Sequence, residues 1–208
     1  MRKYNSFRCI FLLLLALSLI IISFKGSVHS TTDTEGISLE SNPRGIAINP
    51  NTDIAVISNE KSDSVSIIDL NTQAVLSTIP VGKAPRGVAI DRGLNLAVIG
   101  NSHDNTISII DLTNNKVTST INVGKEPEGI AINQSTHRAY VTNHKDDTVS
   151  VVDLFSRQNL DTTSVGKEPK DLAIDPALNL ALVVNEKDYN VSVIDLSTYQ
   201  ITGTVPVG

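Results

Sequence analysis

Four aspartates at a constant spacing are the first residues in this sequence whose type suggests chemistry. Asp69, Asp111, Asp153 and Asp195 are 42 residues apart, and a ring of carboxylates could serve catalysis or hold a metal. Each of them, however, closes an apolar run and opens a turn, where an Asp commonly accepts hydrogen bonds from backbone amides. The pattern therefore predicts four turn-stabilising aspartates rather than a catalytic ring.

Metal binding is the second chemistry that the residue types suggest. Four polar loops could offer oxygen atoms to calcium, but none has the Asp-x-Asp-x-Asp-Gly spacing of a calcium loop. These loops are residues 59–64, 101–106, 143–148 and 185–190. The histidines beyond residue 30, which are His103, His137 and His144, occupy three different repeat positions and lack the spacing of a zinc site. The sequence predicts solvated hairpins and surface histidines, with no metal and no cofactor.

Three lysines form the one candidate ligand-binding set. Lys83, Lys125 and Lys167 are also 42 residues apart, and a converging ring of lysines could hold an anionic ligand at the mouth of a pocket. The acidic neighbours Glu126, Glu128 and Glu168 weaken the positive field there. No Gly-x-Ser-x-Gly elbow, phosphate-binding loop or His-Glu-x-x-His motif occurs in the sequence, so no catalytic residue is predicted.

All these positions belong to a gapless repeat of 42 residues, whose copies are residues 43–84, 85–126, 127–168 and 169–208. The other recurring residues are Pro43, Pro85, Pro127 and Pro169; Asn59, Asn101, Asn143 and Asn185; Ser66, Ser108, Ser150 and Ser192; and Thr78, Thr120, Thr162 and Thr204. Chance does not keep five such positions in register, so the copies are structural repeats. The asparagines are expected to bridge turns or to adopt left-handed backbone, which this residue type tolerates.

Each copy reads as four short antiparallel β-strands. In the second copy the apolar runs are residues 87–90, 97–99, 106–110 and 116–123, which are separated by turn residues and too short for helices. Four strands in about 42 residues match one blade of a β-propeller. Apolar residues at consecutive positions require burial on both faces of each sheet, as in radially stacked blades. The sequence therefore predicts an all-β propeller.

The motifs of the third copy resemble the YVTN-type β-propeller repeat family. Residues 140–143 read Tyr-Val-Thr-Asn, residues 149–154 read Val-Ser-Val-Val-Asp-Leu, and residues 165–169 read Val-Gly-Lys-Glu-Pro. The other copies keep only the Asn of the tetrapeptide. The resemblance covers residues 43–208 and implies an exported seven-bladed propeller, of the kind found in cell-surface, surface-layer-like and periplasmic proteins.

Four copies are fewer than the seven that the resemblance implies, so the ring is expected to be incomplete. The alternatives are a closed ring of four blades and an oligomer in which arcs complete one another. Residues 36–40 align with residues 78–82, so segment 31–42 is expected to contain an outer strand that closes the last blade of a longer ring.

Residues 1–30 have the order of a secretory signal. Arg2, Lys3 and Arg8 precede the apolar residues 10–24, and small residues follow as far as Ser30. This run is shorter than the about 20 residues of a membrane-spanning helix, so a cleaved signal peptide is predicted, with a retained signal anchor as the alternative. The protein is thus expected to be exported, to the periplasm, the cell surface or the medium.

The net charge and the cysteine content limit which binding partners and which disulfides the protein can have. Residues 1–30 hold four of the 17 Lys and Arg and none of the 22 Asp and Glu, so the rest of the chain carries a net charge of −9. A negative protein without a basic stripe is not expected to bind nucleic acid or an anionic membrane surface. The only cysteine, Cys9, lies in the signal, so no disulfide is predicted after export.

Recurrence without a unique polar constellation predicts a binding or scaffold module that is not an enzyme. Its expected partner is a protein, a glycan or a small ligand at the cell envelope, and open blade edges could also support self-association. The alternative is a propeller enzyme or cofactor domain whose site residues lie partly in blades beyond this sequence. The resemblance implies lactonases and the haem-binding propeller of cytochrome nitrite reductases as relatives by fold.

Overall fold

The computed structural model of this protein describes residue 37 and residues 39–207, in which short apolar runs form β-strands separated by polar turns. The strands are β1 (Pro43–Asn49), β2 (Ile54–Asn59), β3 (Ser64–Asp69), β4 (Ala74–Pro80), β5 (Pro85–Asp91), β6 (Leu96–Asn101), β7 (Thr106–Asp111), β8 (Lys116–Asn122), β9 (Pro127–Asn133), β10 (Arg138–Asn143), β11 (Thr148–Asp153), β12 (Gln158–Ser164), β13 (Pro169–Asp175), β14 (Leu180–Asn185), β15 (Asn190–Asp195) and β16 (Ile201–Pro206). A 3-10 turn at Glu60–Ser62 joins β2 to β3. The predicted all-β class and the four strands per repeat are confirmed.

Each repeat forms one antiparallel sheet whose strands lie in sequence order, so the sheets are the blades of a propeller. Blade 1 contains β1 to β4, blade 2 contains β5 to β8, blade 3 contains β9 to β12 and blade 4 contains β13 to β16. The first strand of each blade is the inner strand, and inner strands of successive blades contact one another. The four described blades form an open arc, which confirms the predicted incomplete propeller.

A register shift interrupts the pairing of the first and second strands in every blade. In blade 1 the shift lies between Pro43 and Ile46, and in blade 2 between Pro85 and Val88. Proline lacks a backbone N–H and cannot continue a regular ladder, so an irregularity at this position is expected.

Three of the four buried clusters that the structure describes lie in the seams between blades, and the fourth lies on blade 1 beneath Leu39. The first seam contains Val56 and Ile67 of blade 1 against Ile99 and Ile110 of blade 2. The second and third seams repeat this arrangement, with Tyr140 of blade 3 buried in the third. Because each sheet is covered on both faces inside the arc, its strands are apolar at consecutive positions.

The recurrent aspartates close the loop from the third to the fourth strand of each blade. Asp69 Oδ1 accepts hydrogen bonds from the backbone amides of Asn71 and Thr72, at 2.8 and 3.0 Å. Asp153 accepts from Phe155 and Ser156 in the same way. These amide hydrogen bonds hold the pKa of all four carboxyls below the ordinary value of 3.8. The predicted turn-stabilising role is confirmed.

Acid is therefore expected to weaken the fold through these turns. A carboxyl whose pKa is lower in the folded state stabilises the fold above its unfolded pKa, and the stabilisation is lost as the pH falls through the folded pKa. The free energy of unfolding should fall below about pH 4. Urea unfolding at a series of pH values measures this, and changing all four aspartates to asparagine should flatten the slope. An Asp161→Asn variant, on outer strand β12, should leave it in place.

The recurrent asparagines bridge the turn between the second and third strands, as predicted, but they do so without left-handed backbone. They are buried in the second strand of each blade and have no positive φ, so the expectation of left-handed backbone is wrong. Asn143 Nδ2 donates hydrogen bonds to Thr148 Oγ1 and Ser150 Oγ of the third strand, both at 2.9 Å. The left-handed residue of this hairpin is Asp147 instead. The asparagine holds the second and third strands together at the end of the hairpin.

The segment before blade 1 has no strand among its described residues, which are Ile37 and residues 39–42. Leu39 packs against Ala55, Ile57 and Ile68 of blade 1. Whether this segment closes a blade of a longer ring stays a prediction. The predicted signal, residues 1–30, lies outside the described residues. No helix in the described part of the chain is long and apolar enough to cross a membrane.

Candidate functional site

A groove of about 400 Å³ runs along one end of the arc's inner surface. Its walls are the first residues of the four inner strands, at the register shift that follows each repeat proline. The charged side chains on these walls are Arg44, Arg86, Glu128, Lys170 and Asp171. The first four occupy one repeat position, directly after the proline. The four blades have similar backbone at this position, but the charge of the side chain differs from blade to blade.

Ion pairs connect these side chains across the blade seams. Arg86 of blade 2 contacts Glu60 of blade 1, with 2.9 Å between Arg86 Nε and Glu60 Oε1, and it also pairs with Glu128 of blade 3. Lys170 Nζ of blade 4 lies 3.1 Å from Glu128 Oε2. Cations and anions therefore alternate along the groove, and each charge is balanced by its neighbours.

The ends of this network are more open than its centre. Arg44 lies 3.2 Å from Glu60, and Lys170 lies 3.7 Å from Glu186, within their own blades. Both cations are half exposed, whereas Glu60, Arg86 and Glu128 are largely covered. The exposed cations can still bind an outside group, while the covered residues hold the groove in shape.

Glu128 stays ionised at the centre of the groove. Burial opposes its ionisation, but the hydrogen bond from Lys170 and the charges of Lys170 and Arg86 outweigh burial and keep the pKa of this carboxyl below 4.5. Burial by itself would lower the pKa of Arg86. Its contacts with Glu60 and Glu128 have the larger effect and raise the pKa above the ordinary arginine value. Neither group can exchange a proton near pH 7. The pair suits binding and positioning rather than acid–base catalysis.

Glycines after the variable position let the inner strands approach closely. A Cβ atom on Gly45 would overlap the backbone carbonyl oxygen of Arg86, and one on Gly87 would overlap that of Glu128. Gly129 has the same relation to Lys170, at 2.7 Å. Blade 4 has Asp171 at this position, so its carboxylate is added to the groove. Asp171 breaks the repeat on the groove wall.

The predicted lysines lie on the same end of the arc but do not border the groove. Lys83, Lys125 and Lys167 are exposed at the crossovers between blades. Their backbone amides donate to aspartates of the next hairpin, for example from Lys125 to Asp146 at 2.8 Å. Lys125 Nζ pairs with the same carboxylate, and Lys167 borders a separate small cavity. A ligand role for these lysines stays a prediction.

Sequence reasoning named Glu128 only as a neighbour of the lysines and overlooked the groove that it forms with Arg44, Arg86 and Lys170, although a signal was present. Arg44, Arg86, Glu128 and Lys170 have the same 42-residue spacing as the prolines that precede them. They escape a search for recurring residue types because their type changes from copy to copy. A search for charged residues at a fixed repeat position would have found them.

His137 is a blade-to-blade contact rather than a plain surface residue. Its Nδ1 lies 2.8 Å from Oδ2 of Asp91, which is fully buried at the opposite end of blade 2. The preceding seam has Asn49 and Asn95 in the equivalent places, joined by a hydrogen bond of 2.9 Å. His137 therefore replaces an asparagine that bridges two blades.

Removing this bridge is expected to lower stability by a modest amount. His137→Ala should reduce the free energy of unfolding by about 1–2 kcal/mol, because buried Asp91 loses a hydrogen-bond partner. His137→Asn should retain most of the stability, since the preceding seam uses this residue type. Urea unfolding of the two variants at pH 7 makes the comparison. Equal losses from both would show that the hydrogen bond contributes little.

The described residues contain no cluster of potential metal ligands. Within the residues that the structure describes, no group of three or more His, Cys, Asp or Glu side chains is arranged to hold a metal ion.

Comparison with known proteins supports the assignment of the repeats. Residues 46–138 match the YNCE-like β-propeller family model. A solved structure titled Kuenenia stuttgartiensis Hydrazine Synthase superposes with a TM-score of 0.75 at 21% sequence identity, over 84% of this chain and 51% of that one. The chain thus spans about half the length of that structure, and the likeness shows the fold alone. No curated protein matches the sequence. These findings, together with the blade structure, show a β-propeller fold whose residues 46–138 are similar to the YNCE-like β-propeller family.

Proposed function

We propose that this protein is a non-enzymatic binding propeller of the cell envelope, and that it binds a polar, carboxylate-bearing ligand in the groove. The observation that carries the proposal is the variable position after each repeat proline. The other recurring polar residues, such as Asp153 and Asn143, are occupied by hydrogen bonds within the blades. Charge varies where the inner strands face open space, as expected of a recognition surface.

The groove residues favour an acidic glycan among the ligand classes predicted from the sequence. Half-exposed Arg44 and Lys170 can donate to carboxylates, and the exposed carboxylate of Asp171 can accept hydrogen bonds from sugar hydroxyls. The nearly balanced charge of the groove opposes a ligand that carries many negative charges. These properties suit a glycan with a few uronic acids better than a nucleic acid.

Calorimetric titration of the full chain with a short uronic-acid oligosaccharide tests this function. Lys170→Ala is expected to weaken binding about tenfold, because a charge-assisted hydrogen bond contributes about 1.5–3 kcal/mol. Lys116→Ala, on outer strand β8 away from the groove, is the matched control. Equal affinity in all three proteins would contradict the site. Binding of an acidic peptide instead would transfer the role to a protein ligand.

Export is tested separately from binding. The full chain is expressed in a bacterial host, the envelope and cytoplasm are separated, and the N-terminus of the recovered protein is sequenced. We expect protein in the envelope or medium that begins after Ser30. Retention of residues 1–30 would indicate a signal anchor, and protein found in the cytoplasm would contradict export. An absorbance scan for bound haem and a metal analysis of the same sample test the enzyme or cofactor alternative.

A further inference from the structure

We propose that a cavity between blades 3 and 4 binds a tetrahedral oxyanion, a phosphate or sulfate group, through Lys145, Lys167 and Lys187. The cavity has a volume of about 130 Å³, and none of its lining residues borders the groove. Its walls come from blade 3, from blade 4 and from the crossover between them, so the structure describes both sides of this seam. The site is independent of the ligand proposed for the groove.

Backbone hydrogen bonds bring the three lysines to one cavity. Lys145 lies in the hairpin between β10 and β11, Lys167 in the crossover from β12 to β13, and Lys187 in the hairpin between β14 and β15. The backbone amide of Lys187 donates to the carbonyl oxygen of Lys167 at 3.3 Å. The amide of Glu168, the next residue of the crossover, donates to Asp147 Oδ1 of the first hairpin at 2.8 Å. The crossover is thus tied to the hairpins on both sides.

Two of the three ammonium groups are available to a ligand. Lys187 Nζ lies 3.3 Å from Glu168 Oε1. In the described part of the chain, neither Lys145 nor Lys167 forms an ion pair with a carboxylate, and both side chains are exposed. An anion in the cavity can therefore contact these two lysines without breaking an existing ion pair.

The aspartates next to the cavity are occupied by the backbone of the crossover. Asp147 Oδ1 accepts the hydrogen bond from the amide of Glu168, and Asp188 Oδ2 accepts one of 2.9 Å from the amide of Lys167. These contacts hold the crossover in place. They also direct carboxylate oxygens toward the backbone, which leaves the lysine side chains as the charged groups that a ligand can reach.

Glu168 is the one carboxylate that competes directly with an anion. The hydrogen bond from Lys187, together with the charges of Lys187 and Lys145, keeps the pKa of this carboxyl below its ordinary value of 4.5, so Glu168 is ionised at pH 7. The lining nevertheless has three lysines and only two carboxylates, those of Asp147 and Glu168. With His144 neutral, the lining carries a net charge of +1.

The other two described seams lack this set of lysines. At the positions of Lys145, Lys167 and Lys187, the first seam has Lys61, Lys83 and His103, and the second has His103, Lys125 and Lys145. In the second seam Lys125 is also paired with Asp146, at 3.2 Å. The concentration of positive charge is therefore a property of the third seam rather than of the repeat.

The size of the cavity suits a tetrahedral oxyanion. A water molecule occupies about 30 Å³ in the liquid, so the cavity has room for about four waters, which is comparable with the four oxygens of phosphate or sulfate. An ammonium group offers three donors and no acceptor, and its hydrogen bonds to phosphate oxygens are assisted by charge. Two unpaired ammonium groups at one cavity match a divalent oxyanion.

Calorimetric titration of the full chain with inorganic phosphate at pH 7 tests this site. Lys145→Ala and Lys167→Ala should each weaken binding about tenfold, because each removes a charge-assisted hydrogen bond. Lys167→Arg should retain most of the affinity, since the guanidinium also binds phosphate. Glu168→Gln releases Lys187 and should strengthen binding about threefold. Lys125→Ala, the equivalent crossover lysine of the second seam, is the matched control and should leave the affinity unchanged.

Titrations with sulfate and with glucose 6-phosphate identify the source of the oxyanion. Affinities equal to that of inorganic phosphate would show recognition of the group alone, and tighter binding of the ester would show a group carried by a larger molecule. The absence of saturable binding of any of the three would overturn the proposal. Equal weakening by Lys125→Ala and Lys167→Ala would overturn it too, because a general positive field would then be responsible.

The site and the groove can be tested apart. Lys170→Ala removes a cation of the groove and should leave phosphate binding unchanged. Lys167→Ala should leave binding of the uronic-acid oligosaccharide unchanged. Loss of phosphate binding in both variants would contradict a separate site, whereas failure of the oligosaccharide to bind the unaltered chain would contradict only the proposed function.

Discussion

Gly87→Ala is expected to lower the free energy of unfolding by about 3 kcal/mol or more. The added methyl group would overlap the backbone carbonyl oxygen of Glu128 in the next inner strand, and it would lie 3.1 Å from Ile130 Cγ1. A flexible side chain could turn away, but a backbone carbonyl cannot move unless blades 2 and 3 separate. Separation would expose the second seam of the core, so the cost should be large for a single methyl group. Equilibrium urea unfolding at pH 7 measures it.

Two further substitutions isolate the effect of the close approach. Gly203→Ala places the same methyl group on outer strand β16, where no atom lies within 4 Å, and it should change stability by no more than about 0.5 kcal/mol. Asp171 holds the same repeat position as Gly87, but it lies in the last described blade. Asp171→Ala should therefore change the free energy of unfolding as little as Gly203→Ala does. Losses of similar size at Gly87 and Gly203 would show that backbone entropy, rather than overlap between blades, determines the cost.

Asn101→Ala should lower the free energy of unfolding by about 3 kcal/mol. The buried side chain donates to Thr106 Oγ1 at 3.0 Å and to Ser108 Oγ at 2.9 Å. It also accepts a hydrogen bond of 3.1 Å from the backbone amide of Gly82 in the crossover from blade 1. Alanine would leave three polar groups without this partner, and Ser108 is buried where water does not replace it. The loss should appear in the urea unfolding midpoint.

An exposed asparagine is the matched control for this experiment. Asn114→Ala removes a hydrogen bond of 2.7 Å to Asp111 in a solvated turn, where water can take its place, so the change should stay below about 1 kcal/mol. If both variants lost the same stability, the buried network would not be the source of the effect. A similar large loss from Asn143→Ala would show that the network acts alike in each blade.

The sequence by itself determined the class of fold, the number of blades described and the role of the aspartates. These features depend on short segments and on their repetition. Four apolar runs per copy and the turns between them predict one antiparallel sheet, and an Asp at the end of the third strand is within reach of the next two amides. Asp69 and Asp153 could therefore be assigned correctly from neighbouring residues alone.

Only the tertiary structure decided which repeat positions meet across a seam. Glu60 and Arg86 are 26 residues apart, and Asp91 and His137 are 46 apart, so the rotation between blades sets their contacts. The same rotation brings Gly87 against the carbonyl of Glu128 and keeps Lys125 outside the groove. The 42-residue repeat in the sequence indicates that the blades are alike, but it does not determine how one blade packs on the next. That placement creates the groove, and it depends on the side chains packed in each seam.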